Sequence, residues 1–260
     1  MKVLWVFAHP EPRSLSGSLR DAALAALTGA GHEVKQSDLH AMKWKAVADT
    51  EDFPARDPAE RLYYMAASQE AYQGGTQSRD VATEQDKLLW ADTVILQFPF
   101  WWFSMPAILK GWIDRVFAKG FAYGLPDPKV PGWSRRYGDG VLTGRRSMLV
   151  ITMSAQPPAM GPRGLGGNID DLLFPIHHGT LWYSGMTVLP PFIVNGTGRM
   201  TPDLYAQAER ALTERLLTLD RIKPIPFRTQ SGGDYDSAYC LKPGLEGEAH
   251  GLAIHLRRDG

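Results

Sequence analysis

A buried-looking strand runs directly into a cluster of aromatic side chains near the middle of the chain. Residues 93–98 are predicted to form the strand, and residues 98–103 carry five aromatic side chains around one proline. A helix is predicted over residues 105–119, because Leu109, Trp112 and Val116 recur at helical spacing. Planar ligands bind at the carboxyl ends of strands in open α/β sheets. The pattern therefore predicts a flat, apolar shelf at such a strand end.

The shelf has a simpler interpretation, in which the aromatic side chains only cap the core. So many large rings on one turn cannot all point inward, however, so some of them must be exposed in a cleft or at an interface. A ring system such as a flavin would suit this surface.

Composition limits the partners that this chain can have. The 260 residues include 28 Lys and Arg against 28 Asp and Glu, so the formal net charge is zero. A balanced chain without a basic stripe argues against nucleic acid as the main partner. The single cysteine, Cys240, excludes an intrachain disulfide and a cysteine-based metal site. The apolar run at residues 3–8 is too short to cross a membrane, and we expect a cytoplasmic protein.

Apolar segments alternate between strand and helix patterns along the chain. Such alternation predicts an α/β fold, in which a doubly wound, five-stranded parallel sheet carries helices on both faces. The strand order 2-1-3-4-5, the flavodoxin-like winding, fits best. Strands are predicted at 2–8, 33–38, 93–98, 147–153 and 187–194; helices are predicted at 16–28, 83–91 and 105–119, within 168–183, and from Thr201 onward.

The chain divides into residues 1–221, a cofactor-binding catalytic domain, and residues 222–260, an irregular C-terminal extension. Pro224 and Pro226 end the last helix, and no long helix or strand follows them. Because such a tail cannot build its own core, we expect it to pack on the domain or on a partner subunit. Residues 41–80 are polar and irregular, with several helical turns expected.

Two loops beside the shelf offer polar groups to a ligand. The loop after the first strand holds His9, Ser14 and Ser16, and it opens a helix whose free N–H groups can cradle a pyrophosphate. The alternative is that Ser14 or Ser16 is only a helix cap. The loop after the fourth strand, residues 152–155, can bring backbone N–H groups to the pyrimidine edge of a flavin.

Other chemistries find little support. No G-x-G-x-x-G motif follows the first strand, which disfavours a Rossmann dinucleotide site, and no G-x-S-x-G motif indicates a hydrolase. His177 and His178 are adjacent on a predicted helix and point about 100° apart, so they rarely share an ion. We predict no metal site.

The central block resembles the NAD(P)H:quinone oxidoreductases of DT-diaphorase type, which are flavoproteins with a flavodoxin-like fold. Its matching residues are Gln97-Phe98-Pro99, Trp102-Phe103, Pro106 to Trp112, Arg115-Val116-Phe117 and Phe121-Ala122-Tyr123. Ala8-His9, Glu11 and Ser14 resemble the family's first loop, and the similarity continues into the tail.

This resemblance implies a homodimer with one tightly bound FAD per subunit and active sites at the interface. Hydride would pass from NAD(P)H, a transient co-substrate, to flavin N5 and then to a quinone or a similar electron-poor azo or nitro aromatic. Trp102, Phe103 and Tyr123 would wall the catalytic pocket, with Ser154 beside the flavin. The implied cofactor contacts, with Ser14 added from the phosphate cradle, are His9, Ser14, Leu15, Ser16, Pro99, Phe100, Trp101, Trp102, Phe103, Thr152, Met153, Ser154 and Ala155.

The chain departs from the family pattern where charge on the reduced flavin is buffered. The family's Thr-Thr-Gly-Gly run is Thr152-Met153-Ser154-Ala155 here, and Met160 and Gly166 stand where the family uses a tyrosine and a histidine. A second pocket tyrosine is replaced by Leu125. We therefore expect backbone amides of residues 153–155 to stabilise that charge. The alternative is a non-catalytic, FAD-binding regulatory or accessory subunit of a partner such as a transporter. An FMN electron carrier is disfavoured by the chain's length.

Overall fold

A parallel sheet with helices on both faces forms the centre of the computed structural model, which describes residues 1–128 and 130–257. The strand order is β2-β1-β3-β4-β5, with β6 also paired to β4, so the predicted fold class and strand order are confirmed. The strands are β1 (Lys2–Phe7), β2 (Glu33–Asp38), β3 (Thr93–Pro99), β4 (Arg146–Thr152), β5 (Thr187–Val188) and β6 (Phe192–Val194).

The predicted fifth strand is divided into β5 and β6. Both segments pair with β4 in parallel, one at each end of it. Pro190 and Pro191 lie between them. Proline has no N–H to donate to a strand ladder, which explains why the pairing stops and then resumes.

Six α-helices cover the sheet. They are α1 (Leu15–Gly29), α2 (Tyr64–Gly74), α3 (Arg79–Trp90), α4 (Ala107–Val116), α5 (Ile169–Ile176) and α6 (Pro202–Leu216) in the described ranges. Helix α3 begins four residues before its predicted start, and α4 is shorter than predicted at both ends. Helix α5 continues into one π-helical segment, His177–Trp182. Thr201 caps α6 as expected, accepting a hydrogen bond from the backbone N–H of Leu204 at 3.3 Å.

The two faces of the sheet carry separate cores, as side-chain alternation along a strand requires. Val3, Trp5 and Phe7 of β1 pack with α1 and α6, whereas the alternate residues of the same strand pack with α3, α4 and α5. Strands β1, β3 and β4 are almost fully buried, which is typical of a parallel sheet covered on both faces.

A buried arginine fastens the irregular segment 41–80 to helix α4. The Arg115 guanidinium donates to Asp52 at 2.8 Å and to the Lys45 carbonyl at 2.9 Å, and it pairs with Asp80 at 2.8 Å. Its face lies 4.5 Å from the Trp44 ring. A buried charge with several partners in this arrangement holds the polar segment on the sheet's helical layer.

The C-terminal residues 222–257 pack on α5 and the π-helical segment. Arg228 donates to Asp234 at 2.9 Å and to the carbonyls of Leu245 and Ile254, and the Trp182 indole N–H donates to the Arg228 carbonyl at 3.1 Å. Within residues 222–257, the helical structure consists of two short 3₁₀ turns, Gln230–Gly232 and Gly251–His255. The division at residue 221 stays a prediction.

None of the helices in residues 1–128 and 130–257 combines the length and the apolar character needed to cross a lipid bilayer.

The Arg115 network predicts a large stability effect. Arg115→Ala removes the nearer of two cations from the buried Asp52 and leaves it only Lys45, at 4.0 Å. We expect the free energy of unfolding to fall by about 3–5 kcal/mol in urea titrations. Lys110→Ala, which removes the exposed pair with Asp114 on the same helix, should change it by less than about 1 kcal/mol. Equal effects from the two substitutions would contradict the assignment.

Candidate functional site

A cleft of about 200 Å³ lies at the carboxyl ends of β1, β3 and β4. Its lining is His9, Ser14, Leu15, Ser16, Pro99, Phe100, Trp101, Thr152, Met153, Ser154 and Thr197. The structure thus brings together most of the predicted cofactor residues, drawn from three separate loops. Of that predicted set, Trp102, Phe103 and Ala155 lie outside this lining.

Buried hydrogen bonds align the three strand ends. Gln97 is fully buried; its carbonyl accepts from the Trp5 indole N–H at 2.9 Å, and its amide donates to the Ser16 carbonyl at 2.7 Å. The Ser16 and Thr152 hydroxyls are hydrogen-bonded at 2.7 Å. The start of α1 is therefore held against both β3 and β4.

Backbone N–H groups are free donors at the start of α1, where two of the hydroxyls already have partners. Ser14 is the helix cap and accepts from the Gly17 N–H at 3.1 Å, as the simpler interpretation proposed, and the Ser16 hydroxyl is engaged by Thr152. The N–H groups of Leu15 and Ser16 make no hydrogen bond to the described residues. Unpaired N–H groups at a helix N-terminus attract anions.

His9 contributes a neutral ring to the same end of the cleft. Partial burial lowers the pKa of His9, so its imidazole is uncharged at neutral pH. The ring lies 6.1 Å from the Trp101 ring, centroid to centroid, and its Nδ1 accepts from the Glu11 N–H at 3.1 Å. The imidazole therefore adds polarity without fixed charge.

The aromatic shelf is a tight turn in a strained backbone conformation. The Ser104 N–H donates to the Trp101 carbonyl at 3.0 Å, and Trp102 and Phe103 have φ values of 50° and 60°. Positive φ at both central residues is the type I′ geometry, which disfavours bulky side chains. Trp102 is 95% exposed and Phe103 53% exposed. The expectation that some aromatic rings of this run are exposed is confirmed.

The loop after β4 has fewer free amides than predicted. The Met153 N–H donates to the Val194 carbonyl at 2.9 Å and is therefore not available to a ligand. The N–H groups of Ser154 and Ala155 have no acceptor in the part of the chain that the structure describes. Met160 is buried in the core beside Gly166. Because neither side chain is ionisable, these two positions supply no titratable group to the cleft.

Tyr123 does not lie in this cleft. It lines a separate cavity of about 450 Å³ together with Tyr64, Asp114 and Tyr183. Burial raises the pKa of Tyr123, with the neighbouring Tyr183 adding to the shift, so the phenol stays protonated. Within one chain, the expected grouping of Tyr123 with Trp102 and Phe103 is not formed.

Thr197 is the lining residue that the sequence analysis missed. It follows the last strand, and its N–H donates to the Met153 carbonyl at 3.2 Å. The sequence could have indicated Thr197 as a lining residue, because Gly196-Thr197-Gly198 comes directly after a strand that ends at the same edge of the sheet.

The adjacent histidines His177 and His178 are both buried. Burial lowers the pKa of both His177 and His178 to about 4. Among the described residues, no group of three or more His, Cys, Asp or Glu side chains is placed to hold a metal ion.

Sheet order and cleft together define a flavodoxin-like α/β protein with its site at the carboxyl edge of the sheet. A family model described as "Flavodoxin-like fold" matches residues 1–216. The chain is 45% identical to the ribosyldihydronicotinamide dehydrogenase-like protein traD of Penicillium crustosum, covering all of this chain and 97% of that protein. It is 37% identical to human ribosyldihydronicotinamide dehydrogenase [quinone], covering 86% and 94% of the two chains.

A solved structure agrees with these relatives. The crystal structure of a putative quinone reductase from Klebsiella pneumoniae superposes with a TM-score of 0.95 at 51% identity, covering 98% of this chain and 99% of that one. The chain belongs to the flavodoxin-like family of NAD(P)H:quinone oxidoreductases, and the predicted family and enzyme class are confirmed.

Gly17 sets how closely the first loop can approach α1. A Cβ at Gly17 would lie 1.9 Å from the Pro12 carbonyl oxygen, whereas one at Gly29 in the same helix would meet nothing within 4 Å. We expect Gly17→Ala to lower the free energy of unfolding by about 1–3 kcal/mol and to shift the amide resonances of Leu15 and Ser16. Gly29→Ala should be neutral or stabilising by up to about 1 kcal/mol. Matching effects in urea titrations would refute the close approach.

Proposed function

We propose that this chain is an FAD-dependent NAD(P)H:quinone oxidoreductase that works as a homodimer. Its acceptors are quinones and similar electron-poor aromatics, including azo and nitro compounds. The observation that carries the proposal is one cleft with free N–H donors at the start of α1 and the rings of Phe100 and Trp101 in its wall. A further relative supports it: NAD(P)H dehydrogenase [quinone] 1 of Cavia porcellus is 34% identical over 97% of this chain.

The residues present fit a flavin nucleotide. The N–H groups of Leu15 and Ser16 suit a diphosphate, and the rings of Phe100 and Trp101 suit a planar heterocycle. When bound, the flavin supplies two-electron hydride chemistry, accepting from NAD(P)H and delivering to the acceptor. FAD, rather than FMN, follows from the family resemblance.

The chain's own residues bind and orient the flavin and the acceptor, and they stabilise negative charge on the ring. The Ser154 and Ala155 N–H groups are the available donors for negative charge at the ring's edge. Trp102 and Phe103 offer exposed faces on which a flat acceptor can stack. The lining of the cleft includes no lysine, arginine, aspartate or glutamate, so these dipoles act without competition from fixed charges there.

A second copy would complete the pocket. Trp102 and Phe103 leave apolar rings exposed on one part of the chain, and Tyr123 lines a cavity elsewhere. Burying the exposed rings against the Tyr123 cavity of the partner subunit would unite the predicted catalytic residues. Large exposed apolar rings are typical of such interfaces.

Ser154→Pro tests the loop amides. Proline removes the Ser154 N–H, and we expect turnover with NAD(P)H and benzoquinone to fall by about tenfold or more, because a charge-stabilising donor is lost. Ser154→Ala keeps the N–H and should retain turnover within about twofold. Flavin content and melting temperature are measured for both variants. Unchanged turnover in a folded, flavin-loaded Ser154→Pro protein would remove the loop from the mechanism.

The cofactor and the activity are tested together on the purified protein. Heat-released flavin is identified by chromatography and mass spectrometry, and we expect FAD at one per chain. Steady-state oxidation of NADH and NADPH is then followed with benzoquinone as acceptor. Bound flavin without any turnover would favour an accessory, non-catalytic role, and the absence of flavin binding on reconstitution would overturn the proposal.

A further inference from the structure

A cavity of about 500 Å³ lies between helix α5, the link from β5 to β6 and the C-terminal residues 223–256. Most of its wall is apolar, and we call it the proline-walled cavity because its lining includes Pro190, Pro191, Pro224 and Pro226. It shares no lining residue with the cleft at the carboxyl edge of the sheet or with the cavity that contains Tyr123. Its volume falls within the range of small-ligand pockets.

The walls of the proline-walled cavity are fixed in place before any ligand arrives. The Ile225 N–H donates to the Val188 carbonyl at 2.8 Å, and the Arg257 N–H donates to the Pro226 carbonyl at 2.7 Å. The rings of Phe174 and Phe227 meet edge to face, with centroids 6.0 Å apart. Proline rings and aliphatic side chains make up most of the remaining wall, so the cavity suits a saturated chain and needs little ordering to receive it.

Two carboxylates face this cavity without a cation. Asp170 and Asp171 are exposed in the first turn of α5 and belong to the cavity lining. Within ranges 1–128 and 130–257, neither side chain forms a hydrogen bond or an ion pair, and the exposed Lys223 of the same lining is not paired with either of them. Because the carboxylates outnumber the lysine, the open side of the cavity favours a cation.

A buried ring without a partner lines the same cavity. His177 is only 3% exposed, and its Nε2 has no hydrogen-bond partner in the part of the chain that the structure describes. Burial lowers the pKa of His177 to about 4, so the ring is neutral at pH 7 and can donate from one nitrogen and accept at the other. An unpaired buried polar group is costly, so a ligand that supplies its hydrogen bond gains affinity.

Helical spacing sets the distance between these two polar ends. Asp170, Phe174 and His177 are separated by four and then three residues, which places them on one face of the helix. At the rise of an α-helix, Asp170 and His177 lie about 10 Å apart along the axis. A ligand that meets both therefore carries its two polar groups at opposite ends of an apolar chain of similar length.

We propose that the proline-walled cavity is a second ligand site, which binds an aliphatic amine with a hydroxyl group at the far end of its chain. The ammonium group pairs with Asp170 and Asp171, the saturated chain packs against the prolines, and the hydroxyl is hydrogen-bonded to the His177 ring. The site stands apart from the proposed flavin cleft, and it does not depend on the proposed quinone reduction.

Calorimetric titration of the purified full-length protein with 8-amino-1-octanol tests the site. We expect saturable binding at one per chain, with Kd of about 1 mM or tighter. The probe 1,8-octanediol has the same chain without the charge, and 8-hydroxyoctanoate reverses the charge; each should bind about fivefold more weakly or worse. The flavin absorbance, recorded in parallel, should not change as the site fills.

Carboxylate variants locate the charged end. Asp170→Asn combined with Asp171→Asn should remove the preference for 8-amino-1-octanol over the diol. Asp203→Asn removes an exposed carboxylate from the first turn of α6 instead and should keep that preference. A preference that survives the double substitution overturns the site, as does a flavin spectrum that shifts in step with the heat.

A histidine variant locates the other end. The ratio of the Kd for octylamine to that for 8-amino-1-octanol reports the hydroxyl contact, and His177→Phe should lower this ratio about threefold or more. An unchanged ratio in the folded variant overturns the proposal. Absence of saturable 8-amino-1-octanol binding to the unmodified protein also overturns it, so the outcome does not depend on how well the variants fold.

Discussion

The hydrogen bonds of Gln97 hold the cleft together. This side chain sits inside β3 with no exposure, yet its amide bridges β1 through Trp5 and the first turn of α1 through Ser16. An unsatisfied buried polar group costs about 1–3 kcal/mol, so each partner is tied to its place. The bond between Ser16 and Thr152 extends the same constraint to β4. The positions of the free N–H groups in the cleft are thus consequences of a polar contact in the core.

The aromatic turn depends on a second buried network. Helix α4 begins directly after this turn, and Arg115 near the end of α4 is bound to Asp52, Asp80 and the Lys45 carbonyl. Gly111 allows the backbone at Ala46 to approach so closely that an added Cβ would lie 1.9 Å from its carbonyl oxygen. A helix fixed in this way supports the positive φ of Trp102 and Phe103, which the turn alone would not favour.

Sequence periodicity was enough to predict the sheet and most helices, because buried strands and amphipathic helices follow directly from where apolar residues recur. The number of aromatic residues in one turn also indicated exposed rings at residues 98–103. It could not show that Ser14 is a cap and that Ser16 is engaged by Thr152, since both depend on which acceptor is nearest in the fold. Nor could it show that the Met153 N–H is taken by Val194, or that Tyr123 lies apart from the cleft, because these are contacts between segments distant along the chain.

The cleft at the carboxyl edge of the sheet can favour an anion without any charged side chain. In the cleft, the ionisable ring of His9 is neutral and no charged side chain lines the walls, so the donors that can favour an anion are uncharged backbone N–H groups and hydroxyls. Met160 and Gly166 add no ionisable group to it. Backbone dipoles do not titrate, and they need no reorganisation when charge develops nearby.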